Sequence, residues 1–375
     1  MNYLNTSKNR DSFEELLNAD VFVDKSLLID EVNGYMNTLD CCINLKRPNG
    51  FGKSVNANML ATYYNCKVDS KDLFDDLNIA ASPNYLEHLN KHNVIYIDFT
   101  EVYDGTNNYQ EFINKLKLNI SSDLIEAYPE IIFKSHYSIS DMLYKTKEQF
   151  IFIFDEWDCV FNDTYFTLQD KKDYTMFLRG LLKDQAYAEL VYFTGVFSIP
   201  QYSSGSGLNM FMQYSFLEDR TFSEFFGFTE EEVKELCLKH EMDFEEVSDW
   251  YNGYYDSIDN RLYNPKSLSK ALMQKKCKSY WSEIGPMNKV SDFIQNNVDA
   301  VREDIIDMIA GNPVEIYFDE QFSAETLTLN TRDEILSAMV MYGFLSYYDS
   351  YLSIPNKELM MKFENALCEL EKSVE

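Results

Sequence analysis

The seven cysteines of this 375-residue chain form no Cys-x-x-Cys pair, and their number is odd. A disulfide framework and a zinc ribbon are both disfavoured by that spacing. A reducing compartment, the cytoplasm, is the expected location. Histidine is scarce, at four residues, and only His88 and His92 stand at a spacing of four. No third ligand lies near them in sequence, so both read as surface residues rather than a metal pair. No run of 18 uncharged apolar residues occurs, so no membrane span is expected. The first residues, MNYLNTSKNRDSFEELL, lack an apolar core, and no secretory signal is expected. Basic residues are also few. Against 62 acids stand 33 Lys and Arg, a net charge of −29. A broad nucleic-acid surface needs a basic stripe, so a nucleic-acid partner is not expected. A local basic pocket for a phosphorylated small molecule remains compatible with that balance.

What is present belongs to a globular protein. Aromatics make up 15% of the chain, too many for a disordered acidic polymer. The length suits two domains with a small third element, at about 150 residues per domain. Up to about residue 200, apolar runs alternate with helix-compatible segments. Residues 41–45 (CCINL), 94–99 (VIYIDF), 150–154 (FIFIF) and 189–197 (ELVYFTGVF) read as strands. Helices are predicted around 26–36, 53–64, 108–126 and 168–187. The FIFIF run does not alternate, which implies burial on both faces, as in a parallel sheet. Strands separated by helices give βαβ units. SSGSG at 203–207 reads as a loop. Beyond it, TEEEVKELCLKH opens with a capping box at Thr229 and Glu232, and NPKSLSKALMQK places Pro265 after an Asn cap. Residues 333–362 read as helix, short ribbon and helix, the order of a winged helix.

Two segments carry chemistry. KRPNGFGKS, Lys46 to Ser54, follows an apolar strand and opens a helix. A phosphate-binding loop needs main-chain amides turned toward the anion, a Lys for the β/γ-phosphates and a Ser or Thr hydroxyl for Mg²⁺. The helix that follows directs its positive end to the same place. Gly52, Lys53 and Ser54 supply the last three positions of GxxxxGK[ST], whereas Arg47 stands where the first glycine is expected. Read alone, this is also compatible with a turn before an ordinary helix. The second segment is Asp155-Glu156, ending the FIFIF strand. Adjacent carboxylates at a buried strand tip are costly without compensation, and a bound Mg²⁺ compensates. Asp155 would hold the metal and Glu156 would act on the attacking water. The plainer alternative is an acid pair capping the next helix. About 100 residues separate the two segments, and their order strengthens both. Thr194, near the end of the fourth strand, is a candidate γ-phosphate sensor or a Thr bonded to backbone. Arg179 and Arg220 are candidate charge-stabilising residues, with surface or salt-bridge roles as the alternative.

These motifs, in this order, resemble the AAA-ATPase-like family of bacterial P-loop proteins. Its VDK[TS] segment is matched by Val23-Asp24-Lys25-Ser26 after Phe22, and its RPRRFGK[TS] loop by Arg47, Pro48, Phe51, Gly52, Lys53 and Ser54. Arg47 is thus the family's own pattern, while Asn49-Gly50 replaces two residues that are usually basic. The similarity continues through VIYIDF, FDEWD (154–158), FLRGLLKD (177–184), YFTGV (192–196), FGFTEEEV (226–233), WYNGYY (250–255), YNPKSL (263–268), Tyr280-Trp281 and YGFLSY…LSIPNKEL (342–359), spanning about residues 10–370. The resemblance implies an α/β fold: a P-loop NTPase three-layer parallel sheet, then a mostly helical lid and a winged-helix-like C-terminal module. The corresponding ranges are 1–220, 221–285 and 286–375. It implies ATP and Mg²⁺ as cofactors. The loop residues Arg47, Pro48, Asn49, Gly50, Phe51, Gly52, Lys53, Ser54 and Val55 would bind the nucleotide, and Ser54 and Asp155 would ligate the metal. Glu156, Lys53 and Thr194 would be the catalytic set. Many relatives carry a PD-(D/E)XK nuclease domain, but no Asp and Glu-x-Lys pair on strands follows residue 285, so no nuclease activity is expected. The expected function is ATP binding and Mg-dependent hydrolysis that moves the lid. The alternative is a non-hydrolysing nucleotide-binding scaffold whose acidic surface recruits a partner. The nucleotide is the expected ligand, a protein partner or self-association is left open, and no membrane is expected.

Overall fold

The computed structural model describes residues 1–161, 165–199, 208–256, 260–281, 301–318 and 331–374. Residues 203–207 and 282–300 lie outside these ranges. The chain separates into two compact units. One contains Met1–Lys46 and Lys53–Tyr214. The other contains Arg47–Gly52 and most of the chain from Ser215 onward.

The first unit is built on β1 (Cys42–Lys46), β2 (Asn93–Asp98), β3 (Phe150–Asp155), β4 (Ala188–Gly195) and β5 (Met212–Ser215). Their order in the sheet is β2-β3-β4-β1-β5. The pairs β2/β3, β3/β4 and β4/β1 are parallel. Every residue of β3 is buried, as its unbroken apolar run predicts. The helix Lys53–Tyr64 packs against β2, β3 and β4 and against the helix Lys8–Leu17. Among the other helices of this unit are Tyr109–Ala127, Ile139–Thr146 and Leu168–Leu182. Phe112 and Tyr174 from two of these meet Phe99, which packs on Phe154 of β3. The expected helix at 168–187 ends earlier, at Leu182, where Lys183 leaves helical geometry. The short strand β5, MQYS, has too little apolar pattern to be read from sequence. Ahead of the first helix, the amides of Tyr3 and Leu4 donate to Oδ2 of buried Asp123 at 2.6 and 3.0 Å.

The position of β4 between β1 and β3 decides where chemistry can occur. Parallel strands present all their C-terminal ends on one edge, where ligands of open α/β sheets bind. The register pairs Lys46 with Gly195 and Asp98 with Asp155. The ends of β1, β2, β3 and β4 therefore share that edge.

The second unit is mostly helical. Glu230–His240 begins at a capping box of Thr229 and Glu232, and Pro265–Gln274 follows the Asn264 cap. A small antiparallel sheet of β6 (Phe228–Thr229), β8 (Arg261–Tyr263) and β7 (Tyr254–Tyr255) holds the aromatic stretch. Tyr251, Tyr254 and Tyr263 are buried there, in a packing role. Further on come a helix at 301–309, β9 (Val314–Glu315), the helix Arg332–Met341, the hairpin β10 (Ser346–Tyr348) and β11 (Tyr351–Ser353), and the helix Lys357–Val374. Helix, strand, helix and ribbon, with the sheet order β10-β11-β9, form the winged-helix-like module. Arg332 clasps both carboxylate oxygens of Asp304, at 2.7 and 2.8 Å, which ties two of its helices together.

Candidate nucleotide-binding site

Lys53 is the first residue of its helix, and its side chain is almost fully buried. Its ammonium lies 3.2 Å from Oε1 of Glu156. Glu156 follows β3 directly and takes a left-handed conformation, φ 51°. Non-glycine residues adopt that geometry at a cost, and such strain gathers at functional turns. The turn directs Glu156 to the Lys53 ammonium.

Asp155 is completely buried. Its Oδ1 accepts from the Thr194 hydroxyl. Its Oδ2 has no hydrogen-bond partner of good geometry among the described residues. Burial raises its pKa, and the charge of Glu156 adds to that rise. The Ser54 and Thr194 hydroxyls work in the opposite direction. A buried carboxylate with an unsatisfied oxygen and a hydroxyl beside it is a hard-oxygen donor set, which suits Mg²⁺. The residues present therefore fit a divalent metal at Ser54 and Asp155.

Asp158 belongs to the same edge. It is fully buried, and its Oδ2 accepts from the amides of Val196 and Phe197 at 2.7 and 2.8 Å. Burial raises its pKa, followed by Glu156, against the two amides and the charge of Lys53. The sequence marks it only as a further acid after the pair. Its binding role shows once β3 and β4 are neighbours.

The loop ahead of Lys53 is anchored by its own side chains. Arg47 is wholly buried, with Nη2 2.7 Å from Oδ2 of Asp219 and its guanidinium 4.7 Å from the centre of the Phe226 ring. What position 47 can offer an anion is therefore main chain. Phe51 packs edge-on against Phe216 and Tyr254, and its carbonyl accepts from the Gly227 amide. The Asn49 carbonyl accepts from Asn264 Nδ2 at 3.0 Å. Pro48 packs so close to Gly343 that a Cβ there would stand 2.9 Å from its own. Gly50 and Gly52 have φ of 84° and 93°, a conformation that glycine adopts freely. A Cβ added at Gly52 would meet nothing within 4 Å among the described residues. Asp219, essential to this arrangement, left no signal in the sequence.

Five expected residues thus converge in one unit: Lys53, Ser54, Asp155, Glu156 and Thr194. Val55 is exposed on the helix, and Arg220 is exposed as well. Arg179 is half-buried, with no hydrogen-bond partner for its Nε among the described residues. His88 and His92 correct the reading as surface residues. His88 Nδ1 lies 3.0 Å from His92 Nε2, and His92 Nδ1 lies 2.9 Å from Oε1 of buried Glu189. Among the described residues no group of three or more metal-ligating side chains occurs, and no helix is long and apolar enough to cross a membrane.

The strand order and the Lys-Ser helix start define the class, an α/β fold of the P-loop NTPase type. The chain belongs to the AAA-ATPase-like family: the family model described as "Predicted AAA-ATPase" matches residues 10–203, more than half of the sequence. That family is one of nucleotide-binding ATPases. No curated protein matches. Among solved structures, a Walker-type ATPase of Pyrococcus abyssi is 13% identical, with a TM-score of 0.47 over 91% of this chain and 94% of that one. Cdc6p of Pyrobaculum aerophilum is 10% identical, with a TM-score of 0.35 over 92% and 93%. The ORC2 protein of Aeropyrum pernix, solved in ADPNP-ADP complexes, is 10% identical, with a TM-score of 0.38 over 98% and 95%. Likeness at these levels carries no argument about what this chain does.

Proposed function

We propose that this protein binds ATP with Mg²⁺ and hydrolyses it slowly, coupling nucleotide state to movement of the helical region beyond residue 220. One observation supports the reading above others. Lys53, Ser54, Asp155, Glu156 and Thr194 come from three separate chain segments and meet at the C-terminal edge of one sheet. Phosphoryl transfer asks little of a protein beyond position and charge. Each of these side chains has a part in that. The Lys53 ammonium would leave Glu156 to neutralise the β/γ-phosphates. The Ser54 hydroxyl and the Asp155 carboxylate would hold Mg²⁺, which supplies Lewis-acid stabilisation of the phosphate charge. Glu156, released from Lys53, would orient the attacking water. Thr194 would report the γ-phosphate to Asp155.

Phosphate release from wild type and Glu156→Gln, alongside ATP affinity for both, tests this. Hydrolysis is supported by release from wild type well above the variant, with both binding ATP. Equal release with retained binding would leave the non-hydrolysing scaffold, a reading that the missing basic pair at Asn49-Gly50 favours. A Lys53→Ala protein with full ATP affinity would remove the site itself.

A further inference from the structure

The turn after β3 and the end of β4 are stitched together at four points. Thr194 donates its hydroxyl to Asp155, and the Trp157 amide donates to the Thr194 carbonyl at 3.2 Å. Val196 and Phe197 both donate their amides to Oδ2 of Asp158. Between these points sits Gly195, the last residue of the β4 ladder. An added Cβ there would stand 2.8 Å from Asp158 Cγ, closer than real Cβ contacts come. The glycine is required by this close approach.

A carboxylate is a costly way to hold two amides. Asp158 is fully buried, and its ionised form pays desolvation that a neutral asparagine acceptor would avoid. The charge has a use only if something nearby responds to it. Lys53 does: its positive charge favours the ionised form of Asp158, while Glu156 opposes it. Asp158 therefore joins the phosphate-binding lysine, the water-directing glutamate and the strand end bearing Thr194.

We propose that Asp158 is a positioning residue that fixes the 194–197 segment against the acid turn, so that the site distinguishes a nucleoside triphosphate from a diphosphate. The proposal rests on the nucleotide reading above and adds the residue that makes Thr194 sensitive to a third phosphate. Without the two amide bonds to Asp158, the end of β4 would lose its fixed distance from Asp155. A diphosphate, held by Lys53, would not depend on that distance.

The test compares Mg-ATP and Mg-ADP affinity by calorimetry in wild type, Asp158→Ala, which removes the acceptor of both amides, and Gly195→Ala, with melting temperature as the check on folding. Wild type should prefer ATP. Both variants should keep ADP affinity within about threefold, while the preference for ATP falls about tenfold, the size of one charge-assisted contact. A folded Asp158→Ala protein with the wild-type preference overturns the proposal, as does a wild type with no preference. Hydrogen exchange on wild type serves if both variants unfold. The amides of 196–197 should gain protection with a non-hydrolysable ATP analogue over ADP, and equal protection overturns the proposal. Failure of the underlying reading looks different: wild type would bind neither nucleotide, or Lys53→Ala would bind both normally, and the proposal would fall with it.

Discussion

The Lys53 ammonium and Oε1 of Glu156 form an ion pair, 3.2 Å apart, at the C-terminal edge of the parallel sheet. The two groups are assigned to different partners in a working site, the first to phosphate and the second to water. The two charges neutralise each other, which lowers the cost of burying the lysine.

Glu156→Gln removes the competitor for Lys53 and should raise ATP affinity several-fold while abolishing phosphate release. Lys53→Ala removes the charge proposed for the phosphates and should weaken ATP binding roughly 10- to 100-fold, the range of one or two charge-assisted hydrogen bonds. Calorimetric titration of both variants checks the opposite directions. Affinity that falls equally in both would show that Glu156 is not the competitor.

Asp155 carries a fully buried carboxyl with one oxygen lacking a partner, beside a second acid. That arrangement destabilises the empty protein and becomes useful when a cation is present. Asp155→Asn should raise the melting temperature of the protein without nucleotide by about 1–2 °C, the equivalent of about 1 kcal/mol in a chain of 375 residues. The same substitution should remove the further rise that Mg-ATP gives wild type, as should EDTA. Thermal melts with and without Mg-ATP read both effects, and a lower melting temperature for the empty variant would contradict the argument.

His88 offers a pH dependence away from the site. Burial lowers its pKa, the neighbouring His92 lowers it further, and Glu87 and Glu189 oppose while Lys91 adds to the fall. A depressed folded pKa means that the unfolded chain binds the proton more readily, so this group stabilises the fold above the unfolded value, about 6.5, and loses that contribution as pH falls through the folded value. His88→Gln should flatten that loss. Between pH 7 and pH 5 the wild-type melting temperature should drop relative to the variant. Parallel melting curves across that range would contradict the assignment.

Much of the first unit was legible in its sequence. The helix at 53–64 has the predicted bounds because Gly52 ends the turn and helix-compatible residues without a breaker follow Lys53-Ser54. β3 was legible because an unbroken FIFIF run permits only a strand buried on both faces. Other features depend on neighbours distant in the chain. Asp158 gains its amide donors only because β4 lies beside β3, bringing residues 38 and 39 positions away to its carboxylate. His88 and His92 looked like surface residues because their partner, Glu189, is 97 positions from His92. β5 was missed because a four-residue polar strand has no period to detect.

Arg47 and Asp219 show the same limit, at a separation of 172 positions, and they allow a measurement of what anchors the loop. Their side chains are 0% and 2% exposed, and the guanidinium also rests on Phe226. Removing one member of a buried pair leaves an uncompensated charge, which costs about 3–5 kcal/mol. Asp219→Ala should therefore lower stability toward chemical denaturation by that amount. Replacing both with apolar residues of similar volume, Arg47→Met with Asp219→Leu, should cost much less than the sum of the single changes, since no buried charge remains. The loop main chain, however, also depends on where Arg47 draws it. Asp219 holds the amides of Thr221 and Phe222 as well, at 2.7 and 3.2 Å through Oδ1, so its carboxylate fixes loop and chain together. The double variant should thus recover only the stability lost to the unpaired charge, because the Thr221 and Phe222 amides lose their acceptor, and should not recover nucleotide affinity. Denaturation curves and ATP titrations on the three proteins separate the two effects, and a double variant that binds ATP like wild type would show that the ion pair supports the fold alone.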